Sequence, residues 1–447
     1  MEFETTSVNV INVRQLIGLK LKGAVTQNRL PTHFILLVDT SGSMYIDGRL
    51  RSVKNSIEYL MNFLTPADRI SVVTFSNNAE NILVNQAITI ENRMILLHHI
   101  SNINASGSTN MSAGLLNVRD ILRHTVAGTN AMKTGLVILT DGHANMGMNS
   151  HEQLNSIIQN MKIQHSMLWV NTIGYGTDHN GHLLRSLALE GGGAYSIVHS
   201  EEDVATVFGS ILGGLVSCVA QNVEITIPSD WEHFTPYTVK VDGNFKKLFI
   251  GDIYSETETV LLFRGAGEAK IKWFSCLDMN DNNETARWSV DGALANQAPY
   301  KICYIRFRIS QLLDAIRMWI HDEGGDNRRD AIREEINVVE NMINLISGDM
   351  VGQEAVLELL RGEIVQMRKD LLVVNERDVG LNDTQFIQRS AFIATGRGVY
   401  SQRSDGGDTI MSPFNNRLQR SITTGIQNVR ASQTVGADPV DTISYFT

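Results

Sequence analysis

The chain has 447 residues, 43% of them hydrophobic and 19% charged, with a formal net charge of −10. That length predicts two or three domains, and the acidic balance excludes a general nucleic-acid binder, whose footprint is a basic patch. No run approaches the roughly 18 uninterrupted apolar residues of a membrane span, and the acidic opening MEFETTSVNV does not read as a secretory signal peptide.

In chain order, residues 1–31 carry strand-like alternation in TTSVNVINVRQLIGLKLKGAV. These strands are expected to join a later β-sandwich, which would make the intervening segment an insertion. From 32 to 217, short apolar runs at 33–38, 70–75, 135–140, 168–173 and, more weakly, 194–198 alternate with amphipathic stretches. The stretches lie at 50–64, 93–103, 112–124, 150–161, 182–189 and 202–215. Such alternation predicts an α/β fold, a doubly wound, mostly parallel sheet with helices on both faces. In these sheets ligands bind beyond the carboxyl ends of the strands.

Residues 218–308 read as a β-sandwich: NVEITIP, YTVKVDG, KKLFIGDI, ETVLLFRG, AKIKWFSCL and KICYIRFRI are short and separated by turn residues. From 309 to 374 the period lengthens. Stripes at Ile309–Leu312–Leu313–Ile316–Trp319, Ile332–Ile336–Val339–Ile343–Ile346 and Leu357–Leu360–Ile364–Met367–Leu371 predict three helices. Residues 375–447 lose periodicity and are expected to be a flexible or wrapping tail. The three cysteines, Cys218, Cys276 and Cys303, sit at no metal-ligand spacing among apolar neighbours. They read as buried thiols of a reducing compartment, which favours an intracellular, cytoplasmic location or a virion-associated one.

The chemistry gathers at strand ends. FILLVDTSGSM (34–44) runs from apolar residues into Asp39, Ser41 and Ser43; LVILTDGHAN (136–145) ends on Thr140 and Asp141; NASGSTNMSAGL (104–115) places Thr109 in a Gly/Ser loop before a helix. Alone, a D-x-S reads as a helix cap. With three loops at one sheet edge, two carboxylates and three hydroxyls converge. An all-oxygen set suits Mg²⁺ or Mn²⁺ better than zinc. Neutral hydroxyls leave the cation's charge incompletely compensated, so a partner's Asp or Glu is expected to complete the coordination. Gly42 and Gly142 are expected to give the loops room.

Asp39, Ser41, Ser43, Thr109 and Asp141, with GSTNMSAGL and VNTIGYGTDHNGHLLRSLALEGGGAYSIV in order, resemble the metal-ion-dependent adhesion site of von Willebrand factor type A (VWA) domains. The resemblance covers about 32–217 and implies a Rossmann-like sheet with the metal at its top edge. The flanking segments are similar, more weakly, to intracellular multidomain proteins of that family. Enzyme readings fit less well. A haloacid-dehalogenase phosphotransferase wants a second Asp where Ser41 stands, and a serine hydrolase wants a G-x-S-x-G elbow that DTSGSM lacks. No Walker A motif and no G-x-G-x-x-G follows a strand. His98 and His99 read as surface residues, and His179 and His182 as a helix entry. The expectation is therefore a non-enzymatic, metal-dependent protein-binding module. The alternative is a structural subunit of a large assembly, a viral shell or an intracellular scaffold, in which the metal only stabilises the fold.

Overall fold

Two antiparallel strands open the chain, β1 (Glu2–Val10) and β2 (Val13–Lys22). The structure, a computed structural model, describes residues 1–10, 13–25, 31–126, 132–141, 144–165, 167–176, 179–198, 201–235, 237–278, 280–287, 297–321, 326–347, 354–373 and, beyond them, 386, 389–390, 392–393, 419–420 and 423–424. The chain divides into two compact units, one built chiefly on Thr26–Ser217 and the other on Met1–Val25 with Cys218–Arg397.

The first of these is the α/β unit. It runs β3 (Thr32–Asp39), a 3-10 turn (Gly42–Gly48), α1 (Arg49–Phe63), β4 (Arg69–Phe75), β5 (Ala79–Ala87), α2 (Ile90–Ser101) and α3 (Met111–Val126). It continues with β6 (Lys133–Thr140), α4 (His151–Gln164), β7 (Leu168–Tyr175), α5 (Gly181–Gly191), β8 (Gly192–Val198) and α6 (Glu201–Ser217). The sheet order is β5-β4-β3-β6-β7-β8, with every pair parallel except β4 and β5. All residues of β3, β6 and β7 are buried, as apolar runs covered on both faces must be.

Local signals set the helix starts. Ser150 and Gln153 form a capping box before α4, and Thr89 caps α2. The chain leaves β3 toward β4 on one side and later returns to β6 on the other. The carboxyl ends of β3 and β6 therefore flank the topological switch point, where such sheets form their clefts.

In the second unit β9 (Cys218–Pro228), β10 (Glu232–His233), β11 (Thr238–Asp242), β12 (Phe245–Tyr254), β13 (Glu258–Arg264), β14 (Glu268–Ser275) and β15 (Asn280–Arg287) join β1 and β2. They form two antiparallel sheets, β1-β2-β13-β10 and β11-β12-β9-β14-β15. One core of alternate inward residues lies between the sheets: Leu19 and Leu21 meet Ile225, Leu248, Phe263, Ile271 and Trp231. Cys218, Cys276 and Cys303 are all buried and unoxidised.

Three helices follow, α7 (Ala298–His321), α8 (Asp326–Ile346) and α9 (Glu354–Val373). KICYIRFRI is thus the start of α7 and not a strand. Ile302, Cys303, Tyr304 and Ile305 are buried in succession because this helix packs against α8, α9 and β13. The stripes assigned to α8 and α9 are buried.

Most of 375–447 lies outside the described residues. Of those described, Phe386, Arg389, Ser390, Phe392 and Ile393 are buried. Arg389 bonds Asp370 at 2.5 Å and Glu363 through two nitrogens, and Arg306 donates to the Ile393 carbonyl at 2.7 Å. In the α/β unit, Gln419 donates to the Ser210 carbonyl of α6 at 3.0 Å.

Candidate metal centre

Asp39 is the last residue of β3 and has no exposed surface. A buried carboxylate demands partners. One oxygen accepts the Ser41 backbone N–H at 2.8 Å, and the other accepts the Thr140 hydroxyl at 2.5 Å. Thr140 ends β6, so the two central strands are joined by their terminal side chains. The carboxyl is pushed up to about 6, chiefly by burial and in small part by neighbouring Asp141, against the lowering effect of the hydrogen bonds from Thr140 and Ser41.

From Ser41 a chain of oxygens crosses the switch point. Ser41 Oγ lies 3.1 Å from Ser43 Oγ, and Ser43 Oγ donates to Asp141 Oδ1 at 2.9 Å. Ser41 and Asp141 are buried and Ser43 is half-buried. The third loop is tied in through its backbone. Gly42 N–H donates to the Gly107 carbonyl at 3.0 Å, and Ser106 N–H to the Thr40 carbonyl at 2.7 Å. Thr109 N–H donates to Asn145 Oδ1 at 2.9 Å, while the Asn145 and Met146 N–H groups return to the Thr109 carbonyl at 3.0 and 3.3 Å. Asp39, Ser41, Ser43 and Asp141 are thus linked directly, and Thr109 is buried in a loop tied to theirs through Gly42 and Gly107.

Several residues play parts that the sequence did not disclose. Arg49, the first residue of α1, donates to Asp141 Oδ2 at 2.5 Å. Its only sequence signal is a basic residue at a helix start, which reads as surface. Asn145 binds the Thr109 loop. The glycine the geometry requires is Gly107, at φ +81°, and not Gly42, whose added Cβ would meet only the Gly107 carbonyl at an ordinary 3.6 Å. Gly142 and His143 lie outside the described residues.

The other histidines stay apart. His98 and His99 are exposed on α2. His179 is buried over Gly174, 2.7 Å from the Tyr195 hydroxyl, and His182 is exposed on α5. Tyr45 and Ile46, in the turn after Ser43, are 84% and 52% exposed, which leaves apolar surface beside the polar cluster. Among the described residues no group of three or more His, Cys, Asp or Glu gathers. A cation at this edge would depend on hydroxyl oxygens as well as carboxylates.

A mostly parallel, doubly wound sheet with an Asp-Ser-Ser loop, a Thr loop and a second Asp at its switch point defines an α/β domain with a cluster of polar oxygens at one sheet edge. Residues 34–210 match the family model for the von Willebrand factor type A domain, and this part of the chain is such a domain. The family consists of protein-interaction modules.

Among relatives, the Escherichia coli protein YfbK is 27% identical over 210 residues, 46% of this chain and 35% of its own length. The Synechocystis protein sll0103 is 27% identical over 267 residues, 56% of this chain and 60% of its own length. The chain therefore spans about a third of one relative's length and three fifths of the other's. A solved von Willebrand factor type A structure from Catenulispora acidiphila superposes with a TM-score of 0.55 at 14% identity, covering 81% of this chain and 89% of that one. That coverage extends the likeness in fold beyond the α/β unit. No described helix is long and apolar enough to cross a membrane.

Proposed function

We propose that the VWA domain is a non-enzymatic, divalent-metal-dependent protein-binding module. Asp39, Ser41, Ser43, Thr109 and Asp141 would hold Mg²⁺ or Mn²⁺, and an Asp or Glu of a protein partner would complete the coordination. The observation that carries this reading is the run of oxygens from Ser41 through Ser43 to Asp141, spaced 3.1 and 2.9 Å. Neighbouring ligands on an octahedral ion with Mg–O bonds of about 2.1 Å lie about 3 Å apart, so the donor set fits the ion in kind and in spacing. Zinc would favour nitrogen and sulfur donors, and the cluster has none.

When bound, the cation supplies an electrophilic position for a carboxylate. The chain's own residues hold that position open: Thr140 and the Ser41 N–H orient Asp39, Ser43 orients Asp141, and Asn145 fixes the Thr109 loop. Tyr45 and Ile46 offer apolar contact to the residues flanking the partner's acid. The buried, unoxidised Cys218, Cys276 and Cys303 favour an intracellular setting.

Calorimetric titration with Mg²⁺ tests the assignment. Asp39→Ala and Asp141→Ala should each lower the affinity at least tenfold, and unchanged affinity in both would remove the metal from the account. The alternative, an assembly subunit in a viral shell or scaffold, predicts that EDTA leaves any assembly intact while deletion of 376–447 abolishes it.

A further inference from the structure

Arg49 stands where the helix field opposes it. It is the first residue of α1, which carries no acidic residue in its first turn and no side-chain cap, so its cation faces the positive end of the helix dipole. It is nevertheless drawn inward. Its Nη1 lies 2.5 Å from Asp141 Oδ2; the Asp141 side chain is wholly buried and that of Arg49 is 19% exposed. The loop after β7 leaves space for it: Gly176 adopts φ +75°, and a Cβ there would come within 3.1 Å of Arg49 Nη2. Asp141 thus answers to a hydroxyl of the oxygen cluster through Oδ1 and to an internal cation through Oδ2.

We propose that Arg49 is the built-in counter-cation of this site, neutralising Asp141 in the metal-free protein and opposing the entry of a divalent ion. The inference rests on the metal reading above. The neutral hydroxyls already leave a divalent cation incompletely compensated, and Arg49 in place adds a surplus positive charge beside it. That surplus weakens metal binding and is relieved by a carboxylate from the partner. Arg49 is a positioning residue here, acting on the ion through Asp141 and through its charge.

The test is calorimetric titration of the full chain with Mg²⁺ alone, repeated with Mn²⁺, for the wild type, Arg49→Met, Arg49→Gln and Arg49→Lys, with thermal unfolding in EDTA alongside. Arg49→Met and Arg49→Gln should bind Mg²⁺ about tenfold or more tightly than the wild type, since each removes the like charge. Their melting temperatures should fall in EDTA and recover in saturating Mg²⁺. Arg49→Lys should stay near wild type in both measurements. The two neutral variants differ in packing and hydrogen bonding, so either one, if folded, suffices.

An arginine that merely supports Asp141 sterically predicts unchanged or weaker metal affinity on its removal, and that result overturns the proposal. Binding in the wild type with no change in the neutral variants would remove this inference alone. Absence of Mg²⁺ and Mn²⁺ binding in the wild type would remove the metal reading and this inference together.

Discussion

Substitution of Asp39 by Asn should leave a pH signature in the metal-free protein. The Asp39 carboxyl is pushed to about 6 from an ordinary 3.8, mainly by burial. Between those values the folded chain keeps a proton that the unfolded chain has released. The unfolded state then binds fewer protons, so the Asp39 contribution to stability falls as pH rises. The contribution is whole below about pH 4 and lost through about pH 6. A displacement of this size corresponds to roughly 3 kcal/mol.

For a unit of this length, 1 kcal/mol moves the melting temperature by about 2–4 °C. Scanning calorimetry in EDTA should therefore show the wild type losing on the order of 6–12 °C relative to Asp39→Asn as pH rises from 4 to 7. Taking the difference between two variants cancels the other titrating groups. Mg²⁺ requires the ionised form, so its affinity should fall about tenfold from pH 7 to pH 5. A wild-type-to-variant gap that does not change with pH would refute the reasoning.

Three further outcomes follow from particular contacts. Arg389→Met would leave Glu363 and Asp370 buried without their cation, and urea unfolding should report a loss of about 3–5 kcal/mol; a loss below 1 would contradict the burial argument. His33, buried and bonded to Ser71 Oγ at 2.8 Å, is held down to about 4 by burial and by Arg69. Its contribution is present above about pH 6.5 and lost as pH falls toward 4, by roughly 3 kcal/mol, and His33→Gln should flatten that acid limb in thermal scans. Gly107→Ala should cost about 1–2 kcal/mol for a left-handed residue and should weaken Mg²⁺ binding through the Thr109 loop, both read in one calorimetric series.

The α/β fold was legible because its central strands are short apolar runs, and two of them, β3 and β6, end on a polar residue. FILLVD and LVILTD expose both the sheet and its functional edge. Two edge strands, β5 and β15, were not legible. β5 (AENILVNQA) is half-exposed with mixed polarity, and β15 (NDNNETAR) is almost wholly polar, so neither gives a period-2 signal. KICYIRFRI misled in the other direction, because Arg306 and Arg308 alternate with apolar residues as on a half-buried strand. In the structure Arg306 is drawn in to the Ile393 carbonyl, more than eighty residues away in sequence, and such a partner leaves no local trace.

The candidate site shows the same boundary. Its five oxygen-bearing residues stand out because three short segments carry them after strands or before a helix. Arg49 does not, since its role comes from the placement of α1 against the end of β6. Gly107 and Asn145 likewise matter only once the loops are brought side by side.

The most direct measurement is anomalous scattering at the manganese edge from crystals of the full chain grown with Mn²⁺. The account predicts one strong peak at the carboxyl ends of β3 and β6, bounded by Ser41, Ser43 and Thr109 with Asp39 and Asp141 beside it. A peak elsewhere in the molecule, or none at saturating Mn²⁺, would contradict it.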